Sequence, residues 1–241
     1  MNLSKVSNNE LMEAFTGFKQ DANWLPKVWV GTVVTYLSAG IFLINKAFFP
    51  LSFVLSGITV GYILRTMRES IKSKGKTTEL PEWTDVMDLL ISGLSWLSIS
   101  TGFFFAGLSL AVALLLFGAI GGMTNIQSEK FLPWALVSFS TIYSYCIFSA
   151  LFQSILMLNF AEEERMQAGF AWLKVLKRFA QAPLLMTTGW LVSAALWTVA
   201  CLVPGITLLG LILIPFCTFF AQVLSARLMG LIWNLSDSQE S

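Results

Sequence analysis

Residues Gly61 to Gly93 read GYILRTMRESIKSKGKTTELPEWTDVMDLLISG, a polar stretch joining two apolar blocks. Five cations lie in its first half: Arg65, Arg68, Lys72, Lys74 and Lys76. Four carboxylates and a tryptophan follow in its second half: Glu79, Glu82, Trp83, Asp85 and Asp88. Opposite charges gathered between apolar blocks mark an elbow at a membrane surface, and everything on either side reads as lipid-soluble chain.

The composition agrees. The 241 residues are 56% hydrophobic and only 12% charged, with a mean hydropathy of +0.71. A soluble domain carries roughly 25% charged residues. The net charge of +1 supplies no field for nucleic acid or acidic ligands. There is no histidine, which removes the commonest general base, proton shuttle and metal ligand together. Cys146, Cys201 and Cys217 fall in apolar runs and read as small buried hydrophobes rather than disulfides or a metal site. The first 24 residues hold no continuous apolar core of the signal-peptide kind, so insertion is expected to rest on the internal spans.

Six spans are expected: 28–44, 48–64, 98–120, 134–158, 184–203 and 206–226. The shorter ones, of about 17 residues, are near the lower limit for crossing a hydrocarbon core. Trp24 and Trp29 sit at the entry of the first, Pro50 falls in the first turn of the second, and Pro215 is expected to kink the sixth. Gly57 and Gly61, four residues apart, allow another helix to approach closely. The spans form an all-α integral membrane domain over 1–241, arranged as three helical hairpins. Each hairpin is preceded by an interfacial amphipathic helix, at about 7–19, 81–97 and 161–179.

In the first of these, Leu11, Phe15 and Phe18 share a face and Ser7 with Glu10 fits a capping box, against a bland reading of a loosely packed cytosolic tail. In the second, Pro81 opens the helix, Glu82, Asp85 and Asp88 favour its positive end, and the helix continues or bends into the third span. In the third, Met166, Phe170, Leu173 and Leu176 oppose Glu164, Gln167, Lys174 and Arg178, while Lys177 must snorkel from the apolar side. A short polar loop is expected over Met123 to Leu132. A weak threefold repeat of surface helix, span, turn and span is visible over 7–68, 80–160 and 161–233.

With six spans, Lys46 and Lys130 fall on one side and the other thirteen of the 15 cations on the opposite side. The positive-inside rule then places both termini in the cytoplasm. The expected location is a bacterial inner membrane or an internal membrane such as a thylakoid.

Two constellations carry the candidate chemistry. On the cytoplasmic side, Arg65 or Arg68 is expected to pair with Glu82, Asp85 or Glu162 and pin surface helices to the bundle, against a bland reading of solvated charges. Glu162, Glu163 and Glu164 are consecutive, point around a helix and make a poor metal cage. In the fourth span, Ser138, Thr141, Tyr145, Ser149 and Gln153 recur every three or four residues as one polar stripe. Hydrogen-bonding glue between helices, about 0.6 kcal/mol per contact, is favoured over a substrate path. No charge sits mid-span, and no phosphate loop, dinucleotide fingerprint or nucleophile elbow occurs, so no catalytic residue, cofactor or metal is expected.

Gly61-Tyr62-Ile63-Leu64-Arg65, Arg68, Leu80-Pro81-Glu82-Trp83-Thr84-Asp85 and Gly93 together resemble the bacterial and archaeal membrane family called domain of unknown function 4013. The stretches Asn159-Phe160-Ala161-Glu162-Glu163 and Ala226-Arg227-Leu228-Met229-Gly230 are similar to the same pattern. The resemblance implies a multi-span membrane fold and carries no catalytic or ligand residue. The expected function is a non-enzymatic scaffold, assembly factor or regulatory subunit, with membrane lipids and another membrane protein as partners and no nucleic acid. The alternative is a carrier or flippase for a lipid-like or apolar substrate.

Overall fold

A computed structural model of the chain describes residues 16–73, 79–123, 128–207 and 210–237. Among them there are seven α-helices and no strand: α1 (Trp24–Ile44), α2 (Phe49–Lys72), α3 (Val86–Met123), α4 (Ser128–Glu163), α5 (Trp172–Gln181), α6 (Pro183–Gly205) and α7 (Gly210–Asp237). Every one but α5 is long and apolar enough to cross a membrane. Many large apolar side chains on them face outward, among them Leu43, Ile44, Phe104, Val137, Phe139 and Leu202. Such surface is unfavourable in water and suits hydrocarbon. The chain is a multi-pass helical membrane protein.

Helix bounds depart from expectation at the elbows, for local reasons. The stretch from Leu80 to Asp85 is not helical, and Pro81 does not open a helix. Asp85 has φ 54°, a left-handed conformation that an α-helix cannot contain. From Val86 the helix continues without interruption to Met123. The expected surface helix at 161–179 is likewise broken. α4 runs to Glu163, Glu164 turns left-handed at φ 59°, a 3-10 turn covers Met166–Phe170, and only then does α5 begin. α4 starts at Ser128, inside the stretch expected to be a loop. α7 begins at Gly210 rather than 206 and runs through Pro215 as one helix. Of the expected N-terminal surface helix, residues 7–15 lie outside the described residues, as do Lys74 and Lys76; Gly17–Gln20 forms a 3-10 turn.

The chain divides into two compact units, Met1–Leu97 with Ile155–Ser241, and Ser98–Ser154. In the first unit α7 is the hub, packing against α1, α2, α5 and α6. Its Trp233 is fully buried, and Phe219 lies under Gly31 where any Cβ would collide with the ring. Ser70 of α2 donates to the Arg227 carbonyl at 2.8 Å, and Asn234 of α7 returns a bond to the Ile71 carbonyl at 2.6 Å.

The crossing of α2 with the start of α3 is backbone against backbone. A Cβ on Gly61 would overlap the Leu89 carbonyl, and one on Gly93 would overlap the Gly57 carbonyl. Glycine is required at both positions by this approach, the small-residue device of membrane helices. Replacing Gly61 or Gly93 by Ala is therefore expected to cost about 1–3 kcal/mol through overpacking. Gly102→Ala, at a site with nothing within 4 Å, should be neutral or stabilising. Thermal unfolding in detergent separates these outcomes, and equal melting of all three variants would contradict the crossing.

Candidate functional site

The elbow is closed by one ammonium group. Lys27 lies in the first turn of α1 and is buried, 7% exposed at its side chain. Its Nζ donates to Asp21 Oδ2 at 2.8 Å and to the Leu80 carbonyl at 2.7 Å, and lies 2.8 Å from Glu82 Oε1. An ammonium has three N–H donors, and three acceptors meet them. Asp21 is equally enclosed. Its Oδ2 accepts the Leu80 amide at 3.0 Å and its Oδ1 the Asn23 amide at 2.8 Å. A carboxylate just before α1 also faces the positive end of that helix.

Aromatic rings brace the other side of the elbow. Trp83 Nε1 donates to the Lys27 carbonyl at 2.8 Å, and Tyr62 Oη donates to the Pro81 carbonyl at 3.0 Å. The two rings stack with centroids 4.0 Å apart and planes 7° from parallel, and Phe219 tilts against both. Tyr62 is fully buried. Arg65 then ties α2 to the end of the elbow. It donates to the Thr84 carbonyl at 2.8 Å and to Asp88 at 3.3 Å, with Asp85 at 3.9 Å. Leu80 is buried where the elbow folds against the bundle.

The three consecutive glutamates separate onto three partners, as their placement around a helix end requires. Glu162 takes Arg178 at 3.1 Å and the Trp233 indole N–H at 3.0 Å; Glu163 pairs with Lys174; Glu164 takes Arg68 at 2.8 Å. Arg68 Nε also faces the Ala161 carbonyl at 3.3 Å. Arg178 lies over the Trp233 ring, 3.6 Å from its centroid, in a cation–π contact, and donates to the Trp233 carbonyl at 2.9 Å. Asn159 reaches the Ala168 carbonyl at 2.8 Å and fastens the turn after α4.

The structure thus brings together Gly61, Arg65, Leu80, Pro81, Glu82, Trp83, Asp85 and Gly93; Arg68 shares the α2 face of Arg65 and links it to Glu164 after α4, while Glu162 belongs to the end of α4. Of the expected pairs, Arg65 with Asp85 is present at 3.9 Å; the Glu82 carboxylate pairs with Lys27 while its carbonyl accepts from Arg65 at 3.3 Å, and Glu162 pairs with Arg178. Asp21 and Lys27 did not stand out in the sequence, because two of the three acceptors that enclose Lys27 come from Leu80 and Glu82, more than fifty residues away.

Within the second unit the polar stripe divides. Tyr145 donates to the Phe103 carbonyl at 2.8 Å, Ser100 donates to Gln153 Oε1 at 3.0 Å, and Gln153 donates to Ser149 at 2.9 Å. Thr141 bonds back to its own helix at the Val137 carbonyl, and Ser138 is buried with no hydrogen-bond partner among the described residues. Tyr145, Ser149 and Gln153 line a cleft of about 420 Å³ with Ser100, Phe103 and Gly107. Among the described residues no three Cys, Asp or Glu side chains gather as metal ligands would.

The family model of a protein of unknown function (DUF4013) matches residues 46–214, more than two thirds of the chain. The chain belongs to the DUF4013 family. The match covers the elbow with its two glycines and the triple glutamate, whereas Asp21, Lys27, Arg227 and Trp233 lie outside it. No curated protein and no solved structure matches the chain.

Burial alone would raise the pKa of the Asp21 carboxyl. The Lys27 hydrogen bond, with those from the Asn23 and Leu80 amides, outweighs it and holds the group below the ordinary carboxylate value. The unfolded value is about 3.9. The stabilisation is therefore complete above it and is lost as pH falls through the lower folded value. Melting temperature in detergent should stay level down to about pH 5 and drop below about pH 4, and Asp21→Asn should flatten that acid limb. Lys27→Met, which strands a buried carboxylate, should cost about 3–5 kcal/mol, and the Asp21→Asn/Lys27→Met pair less than the sum of the two single changes.

Proposed function

We propose that this DUF4013 protein is a non-enzymatic scaffold or assembly subunit of a larger membrane complex, with both termini cytoplasmic and the elbow side as its platform. The observation that carries the reading is where the charged groups go. Lys27, Arg65, Arg68, Arg178, Asp21 and Glu162 are all engaged in holding one chain segment to another. Their geometry makes a rigid surface from the ends of α2, α3, α4 and α7, which is what a docking platform needs.

Beside this platform, Trp172, Leu173 and Leu176 of α5 are exposed together with Met166 and Phe170 of the preceding turn. Val175 and Arg178 face inward. That arrangement supports an interfacial helix whose apolar flank enters the headgroup layer. The thirteen-to-two division of cations supports the same side as cytoplasmic. Lipids and a membrane-protein partner are the expected contacts, in a bacterial inner or internal membrane.

A second reading is favoured by the cleft among residues 100–153. It is mostly apolar and carries a few polar groups, the usual character of a small-ligand site, and this suits a carrier for a lipid-like substrate.

One pair of experiments decides between them. A tagged chain taken from native membranes in mild detergent should run with a membrane protein at fixed stoichiometry. Reversing the exposed cations in Arg165→Glu/Lys177→Glu should release that partner without lowering the melting temperature. A chain recovered alone with lipid, whose transport activity in vesicles disappears in Ser149→Ala/Gln153→Ala while its melting temperature holds, would replace the scaffold by the carrier.

A further inference from the structure

Next to the clamp that Lys27 forms with Asp21, Leu80 and Glu82 lies an open cleft of about 430 Å³, lined by Arg65, Arg68, Glu69, Lys72, Glu82 and Thr84. Its two walls have different origins. Residues 65, 68, 69 and 72 follow the i, i+3, i+4, i+7 spacing of one face of α2. Glu82 and Thr84 come from the non-helical elbow, which the Lys27 and Arg65 bonds hold across from that face. The spacing between the walls is therefore fixed by the clamp before any ligand arrives.

The lining is dipolar rather than simply basic. Three cations stand with two carboxylates and a hydroxyl. Arg68 uses Nε for the Ala161 carbonyl and Glu164, and its two terminal nitrogens have no described protein partner in hydrogen-bonding distance. Lys72 is 69% exposed and only loosely paired with Glu164, at 3.6 Å. These groups can donate to a phosphate. Glu82 is 65% exposed, with Oε1 on Lys27, and it lines the other part of the cleft with Glu69, so two carboxylates give that part negative charge. A lone anion would meet Glu69 and Glu82 as repulsion. A lone cation would meet Arg65, Arg68 and Lys72.

A ligand carrying both signs at short separation satisfies both walls. The cleft also lies at the charged end of the span Lys46–Lys72, where hydrocarbon gives way to headgroups. We propose that this cleft binds a phosphate ester bearing a primary ammonium, as in a phosphoethanolamine headgroup. Arg68 and Lys72 take the phosphate, and Glu69 and Glu82 take the ammonium. The site does not depend on whether the protein is a scaffold or a carrier.

The full chain in detergent, titrated with lipids of identical acyl chains and read by native mass spectrometry, tests this. Phosphatidylethanolamine should be retained about fivefold more than phosphatidylcholine, whose quaternary ammonium has no N–H donor, and more than phosphatidylglycerol; such a ratio is what one partly exposed ion pair sustains. Lys72→Gln, at an exposed position, should weaken the ethanolamine and glycerol lipids alike. Glu69→Gln should weaken only the ethanolamine lipid, with a melting curve confirming that the variant folds. Soluble phosphoethanolamine that displaces the lipid at equal concentration would uphold the site and assign it to a water-soluble ester. Equal retention of the three lipids, a preference for phosphatidylglycerol, or insensitivity of lipid selectivity to both variants would overturn the proposal.

Discussion

An ammonium enclosed at the end of a membrane span is tolerable only if each of its N–H groups finds an acceptor. Lys27 meets that condition with three acceptors from two places in the chain: Asp21 just before α1, and Leu80 and Glu82 of the elbow. The cost of removing two charges from water is several kcal/mol per ion, and attraction offsets it only when geometry and remaining hydrogen bonds are good. Here the Asp21 carboxylate also takes two backbone amides, one from each place. The constraint runs both ways. The charges require the elbow to lie where it does, and the elbow's own backbone groups, which form no helix, need partners of that kind.

The rest of the first unit follows from this placement. With Leu80 and Glu82 fixed, Trp83 reaches the Lys27 carbonyl and stacks on Tyr62, and the chain must turn left-handed at Asp85 before α3 can begin. α3 then starts directly against α2, so close that only glycine fits at 61 and 93. Arg65 closes the far edge by donating to the Thr84 carbonyl and to Asp88, whose positions this turn dictates. A non-glycine residue at positive φ is disfavoured by roughly 1–2 kcal/mol, and the neighbouring bonds over-determine it.

Much of this was legible in the residues. Apolar run length yields six membrane-crossing helices because a bilayer demands length and apolarity with little regard to tertiary detail. Gly61 and Gly93, with the Leu80-Pro81-Glu82-Trp83 run, drew the eye to the elbow. The elbow's conformation was hidden because its carboxylates and Pro81 match a helix N-terminus by type, while the winning interactions come from Lys27 and Tyr62, which are distant in sequence. Glu164 hides for the same reason: its helical periodicity is intact, and only its bond to Arg68 shows why the chain leaves the helix there. Lys27 read as one more flanking cation, since nothing local announces burial. The stripe from Ser138 to Gln153 was visible as a pattern, but its division into interhelical bonds at Tyr145 and Gln153 and a bond within the helix at Thr141 depends on rotation of the helix.

The two polar systems differ in what they permit to move. Parting Lys27 from Asp21, or Arg178 from Glu162, while either charge stays buried leaves that charge without its partner, a state that costs about 3–5 kcal/mol when one partner is removed. A protein whose function required these helix ends to part and rejoin would carry that penalty in one of its two states, and a population shift of a hundredfold already corresponds to about 2.7 kcal/mol. The bonds among Ser100, Ser149 and Gln153 are neutral, and each is worth about 0.6 kcal/mol in a membrane. Rearrangement there is cheap on the scale of a single ligand's binding energy. Any conformational cycle in this protein is therefore expected within residues 98–154, while the clamp keeps one geometry throughout. A fixed clamp is of little use to a carrier as a moving part, but it is what a partner or a headgroup recognising an unchanging surface requires.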